Sequence, residues 1–120
     1  MREELSERFL EFAVNIFKLE KQLCKSYSGR HIYGQLFRAG TSTGANYEEA
    51  TGAESKSDFI HKMQIVLKEL REAFFWLRFI KKTELIPVSN AELIFLLKEN
   101  DELLKIIGKS VATAKINKNK

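Results

Sequence analysis

Apolar residues return along this chain every three or four positions, in four long stretches, and that period is helical rather than extended. From about residue 3 to 26, Leu5, Phe9, Phe12, Ile16, Leu19 and Leu23 form a ladder on one helical stripe. A second stretch runs from about residue 30 to 50, with Tyr33, Leu36, Phe37, Gly40, Gly44 and Tyr47 sharing a stripe. A third, from about residue 57 to 82, carries Phe59, Met63, Val66, Leu67, Leu70, Phe74 and Leu77. The fourth begins where Pro87 halts the arriving chain and Ser89 with Glu92 makes a capping box. Its stripe is Leu93, Leu96, Leu97, Leu103, Leu104, Ile107 and Val111. The connections, around residues 27–29, 51–56 and 83–88, are short and force antiparallel neighbours. The expected architecture is all-α, an antiparallel up-down-up-down four-helix bundle over residues 1–116 with a basic C-terminal tail at 117–120.

Local rules conflict in the second stretch. Each glycine costs a helix about 1 kcal/mol against alanine, so Gly40 through Gly44 has loop propensity. The shared stripe favours a continuous helix whose two glycines let another helix approach closely, with the Phe74 and Trp76 region of the third helix as the expected partner. A break at Gly40–Gly44 is the alternative.

Three helices carry more apolar surface than one bundle uses. Leu10, Ala13, Val14, Phe17 and Cys24 form a second stripe on the first helix, and Ile65, Phe75, Trp76 and Phe79 do so on the third. The second has Ala39, Ala45 and Ala50 away from its core stripe. The fourth has one apolar face, with Phe95 and Ile106 as exceptions. Unused faces of this size mark contact surfaces. Self-association through helices one to three is expected, with Leu10, Val14, Phe17, Ile65, Phe75, Trp76 and Phe79 as interface candidates and the fourth helix outside.

A chain of 120 residues and 13.9 kDa is enough for one domain. One proline and six glycines are too few for a many-stranded barrel, and a single cysteine excludes a disulfide framework. No apolar run reaches membrane-spanning length and the opening MREELSER is charged, so neither a span nor a signal peptide is expected, and a cytoplasmic location follows. The net charge is +4, and the last twelve residues hold four lysines and no acid, which leaves the rest charge-balanced. Lys109, Lys115, Lys118 and Lys120 read either as a solvated terminus or as a phosphate-seeking arm. Arg71, Arg78, Lys81 and Lys82 on the third helix make a second candidate patch, with a plain solvated face as the other reading.

Catalytic and metal chemistry is mostly excluded. Asp58 and His61 have the carboxylate-x-x-His spacing of di-iron bundles, but such sites need two pairs and two further carboxylates, and His31 is not placed to match. Cys24 lacks a histidine partner and reads as a small buried hydrophobe. Gly40 and Gly44 lack the following Lys and Ser/Thr of a phosphate loop. No cofactor, metal or enzymatic activity is expected; a cavity joining Asp58, His61 and Glu72 would reopen the question.

Arg38, Ser42, Asn46 and Glu49 lie along one polar stripe of the second helix, suited to hydrogen bonding against another helix, with a solvated face and a phosphate contact at Arg38 as the alternatives. The segment LFRAGTSTGANYEEATGAESKSDFIHKMQIVLKELREAFFWLRFI around it resembles the family of proteins encoded in intervening sequences of bacterial 23S ribosomal RNA genes. Arg38-Ala39, Ser42, Ala45-Asn46, Glu49, Ser55, Asp58-Phe59, Leu67 and Glu72 fall in step with that family's pattern; Thr43-Gly44 and Ala50 depart from it. The resemblance implies four-helix bundles that assemble as rings, commonly pentamers, and a related branch that serves retroelement reverse transcriptases and binds nucleic acid. The expectation is a non-enzymatic, homo-oligomeric adaptor or scaffold whose ligand is RNA or DNA. The alternative is a protein-binding assembly factor, for a reverse transcriptase for example, with no direct nucleic-acid contact. Arg38, Ser42, Asn46, Glu49 and Glu72 would then have structural duty.

Overall fold

Each apolar ladder folds as a helix. The structure, a computed structural model, describes residues 2–118, and its elements are α1 (Arg2–Phe17), a single turn α2 (Glu20–Leu23), α3 (Tyr27–Thr51), α4 (Lys56–Thr83) and α5 (Ala91–Lys118). The four long helices make an up-down-up-down bundle measuring 51 × 22 × 19 Å. α1 packs on α3 and α5, α4 packs on the same two, and so α1 and α4 stand at opposite corners. α5 continues through Asn117 to Lys118, so the expected tail boundary at 116 falls inside a helix; Lys120 lies outside the described residues.

The first expected helix is interrupted. α1 ends at Phe17, and the chain tightens as the Leu19 amide donates to the Ile16 carbonyl at 3.0 Å, an i→i−3 bond. The six-residue ladder survives the kink: Leu5, Phe9, Phe12, Ile16, Leu19 and Leu23 are all buried. Ser26 then caps α3, three residues earlier than expected, its hydroxyl accepting from the Gly29 amide at 3.0 Å. Gly29 is required there, because a Cβ would lie 1.8 Å from the Leu23 carbonyl oxygen. At α5 the expected Ser89–Glu92 box gives way to Asn90. A turn closed from the Asn90 amide to the Pro87 carbonyl leaves Asn90 as the last non-helical residue, and its Oδ1 accepts from the Leu93 amide at 2.9 Å.

α3 is continuous through Gly40 and Gly44, and the helix that uses the space is α1, not α4. A Cβ on Gly40 would sit 2.2 Å from Ile16 Cδ1, and one on Gly44 would sit 3.3 Å from Phe9 Cβ. Ala39 and Ala50, expected away from the core, are buried within it. The α4 stripe is also rotated a little: Ile60, Ala73 and Ile80 are buried, while Phe59, Leu67 and Phe74 are half-buried.

Gly40→Ala is expected to cost about 1–3 kcal/mol in chemical denaturation, since Ile16 is fully enclosed and must shift. Gly34→Ala, in the same helix with open space around its Cβ, is expected to gain about 0.5–1 kcal/mol. Equal effects would dissociate the glycines from the α1–α3 contact.

Candidate functional site

The polar stripe of α3 faces α4, and its two ends are stitched to it. Arg38 Nη1 donates to Glu69 Oε2 at 3.1 Å and Nη2 to Glu72 Oε2 at 2.5 Å. Trp76 Nε1 donates to the same Glu72 oxygen at 3.3 Å. At the other end Lys62 Nζ of α4 donates to Glu49 Oε1 at 2.6 Å. Arg38 and Glu49 therefore pair across to α4 rather than with one another. Between them, Asn46 Nδ2 donates to the Ser42 carbonyl and hydroxyl at 2.9 and 3.0 Å, which satisfies the amide nitrogen within α3. The Arg38 side chain is 52% exposed and that of Glu69 only 8%, so a guanidinium at the rim neutralises a carboxylate beneath it. The Arg38 hydrogen bond, joined by that from Trp76, holds the Glu72 carboxyl below its ordinary value. The geometry is that of an inter-helix clasp.

The residues that would have revived catalysis do not meet. Asp58 and His61 are exposed on the first turns of α4, and Glu72 sits about 21 and 17 Å farther along that helix at 1.5 Å per residue. Burial pushes the Cys24 thiol up from its ordinary value, away from thiolate reactivity. Among the described residues no group of three or more His, Cys, Asp or Glu is placed to hold a metal ion, and no helix is long and apolar enough to cross a membrane.

The basic candidates fall into two separate places. Arg71, Arg78, Lys81 and Lys82 are exposed along the second half of α4. Lys109, Lys115 and Lys118 are exposed on the last turns of α5, which runs antiparallel and so ends beside the start of α4. The antiparallel return puts the two groups toward opposite ends of the molecule.

The interface candidates are all outside the core, though not equally. Leu10 and Phe17 of α1 are 55% and 58% exposed, and Phe75 and Phe79 of α4 are 53% and 38% exposed. Val14, Ile65 and Trp76 are half-buried. Trp76 is flanked edge-on by Phe75, Phe79 and His31, with ring centroids 5.0, 6.1 and 6.2 Å away. On the fourth long helix Phe95 is exposed, in line with its place as an exception, and Ile94 beside it and Val88 in the connection before it are exposed as well.

Sequence reasoning passed over three buried polar residues. Glu69 is the deep partner of Arg38. Glu99 accepts a two-pronged contact from Arg8 of α1, at 2.9 Å from Nε and 2.7 Å from Nη2. Asn100 is fully buried; with its amide oriented by the groups around it, Nδ2 donates to the Leu70 carbonyl at 3.1 Å and Oδ1 accepts from the Phe74 amide at 3.2 Å. The signal for Asn100 was a gap in the α5 ladder, where a polar residue occupies the rung between Leu96 and Leu103.

Two outcomes are expected. Asn100→Ala should destabilise the bundle by about 1–3 kcal/mol in urea, through the missing hydrogen bonds and the space left behind. Because the Glu72 carboxyl is held low in the folded state, its pairing stabilises above the carboxyl's ordinary value and that contribution is lost as pH falls through the depressed one. Arg38→Ala should therefore lose less stability than the parent between pH 6 and pH 3, measured by thermal unfolding.

Comparison with known proteins places this geometry. A family profile described as 23S rRNA-intervening sequence protein matches residues 3–109. Among solved structures, the chain is 35% identical to a protein of unknown function from the S23 ribosomal protein family of Bacteroides thetaiotaomicron, with a TM-score of 0.78 over 88% of this chain and 96% of that one. No curated protein matches the chain.

Proposed function

We propose that this chain, which belongs to the 23S rRNA-intervening sequence protein family, is a non-enzymatic, self-associating helical adaptor that holds nucleic acid through backbone charge. The family's function is unknown, and the solved neighbour is described in the same terms. The observation that carries the proposal is the pair of uncovered apolar faces at opposite corners, Leu10 and Phe17 on α1 and Phe75 and Phe79 on α4. Single exposed apolar side chains need no explanation, but two clustered faces on unlike surfaces support head-to-tail contact between copies. Head-to-tail contacts close into rings when the rotation permits, and five copies is the ring size that the family resemblance implies. A ring gathers the C-terminal lysines of every copy, and multivalency turns weak phosphate contacts into useful affinity.

Sedimentation should give a mass several times 13.9 kDa, and Phe75→Ser with Leu10→Ser should lower it. A single-chain mass at high concentration overturns the assembly. Binding to a short DNA duplex should weaken steeply with salt, and the triple variant Lys109→Ala, Lys115→Ala and Lys118→Ala should reduce the log–log salt slope by roughly 0.9 for each phosphate that is no longer neutralised. Substitution is preferred to truncation because Val111 is part of the core. No binding even at low salt overturns the nucleic-acid part alone.

A further inference from the structure

Between the last turns of α4 and the first turns of α5 lies an open groove of about 800 Å³. Its floor is apolar. Leu97 is half-buried against the core and Phe74 is half-buried, and Val88 and Ile94 beside them are 50% and 53% exposed. Arg78, Lys81 and Lys82 of α4 and Lys98 of α5 stand around it. The carboxylates of the lining are Glu84 and Asp101, and Asp101 is engaged by Lys105 at 3.0 Å. Among the described residues none of Arg78, Lys81, Lys82 and Lys98 takes part in an ion pair. The end of the α4 dipole accounts for part of the placement of Lys81 and Lys82, but not for Lys98, which lies on another helix.

We infer that this groove binds an acidic amphipathic peptide segment of a protein partner, with apolar side chains on the floor and carboxylates toward the four cations. Two features of the groove select that chemistry. A strip of aliphatic surface between antiparallel helices fits apolar anchors repeating at helical spacing, and the surrounding charge selects an acidic sequence around them. Nucleic acid fits less well. A phosphate backbone would meet the cations but leave the apolar floor uncovered, and a base seeking to stack there would find the one aromatic ring in the lining, Phe74, with the Arg78 guanidinium 5.9 Å from its centroid. The inference goes beyond the scaffold reading and does not depend on it, since Leu10, Phe17, Phe75 and Phe79 are not part of the groove. It reassigns Arg78, Lys81 and Lys82 from nucleic acid to peptide and leaves Lys109, Lys115 and Lys118 for phosphate.

The test uses the full chain and a fluorescein-labelled 18-residue peptide with Leu at helical i, i+3, i+4 and i+7 positions and Glu elsewhere. A second peptide replaces every Leu by Ser at the same charge, and a 12-residue oligouridylate serves as competitor. The Leu peptide should bind at least tenfold more tightly than the Ser peptide, and more weakly as salt is raised. Ile94→Ser and Lys82→Glu should each weaken it fivefold or more with helix content unchanged by circular dichroism, while Phe75→Ser, outside the groove, leaves it unaltered. Equal affinity for the two peptides, or displacement by oligouridylate, would reduce the groove to a general anion surface and overturn the inference. A fall in sedimenting mass for Ile94→Ser would also overturn it, by assigning the groove to a second copy of this chain.

Discussion

The bundle depends on how closely α1 can approach α3. Gly40 and Gly44 leave a notch one turn long, and Ile16 and Phe9 fill it. That approach turns Phe9, Phe12 and Ile16 fully inward and brings the Phe9 and Tyr47 rings to 5.1 Å. It also decides what is left outside. With α1 held this way, Leu10 and Phe17 have no neighbour to cover them, and a helix of 16 residues cannot turn both faces inward. The exposed apolar surface is therefore not loose packing but the far side of a tight helix pair.

Much of the fold was legible in residue spacing because each helix writes its own periodicity. All six rungs of the α1–α2 ladder are buried, as are Leu93, Leu96, Leu103, Ile107 and Val111 of α5. What spacing could not supply was which helix lies against which. The notch in α3 was visible, but its occupant depended on corner positions in the bundle, and α1 rather than α4 fills it. The interruption after Phe17 has no local signal, since helix formers continue on both sides of it. At the start of α5 two capping residues compete in adjacent positions, and the turn from Pro87 decided for Asn90.

The clasp on α3 was half legible for the same reason. Arg38 and Glu49 share a face by simple helical arithmetic, whereas Glu69 and Lys62 are partners only once α4 is laid alongside. Charge followed a similar rule. Basic side chains that enter composition as one sum are divided by the antiparallel return of α5, one set along the second half of α4 and the other beside its start. Net charge describes a chain, but a ligand meets only the charges on the side it approaches.

Asn100 has a consequence beyond its own hydrogen bonds. A purely greasy seam between α4 and α5 would let one rod slide along the other in steps of a helical turn, about 5.4 Å, with little change in what is covered. The amide grips the backbone of Leu70 and Phe74, and a slide would break both bonds, a cost that an all-apolar seam does not carry. Lys98 and Ile94 are thereby kept opposite Arg78 and Lys81, and Glu99 is kept within reach of Arg8. A single internal carboxamide thus acts as an alignment pin, helping to set the pattern of charge and grease that the two helices display together.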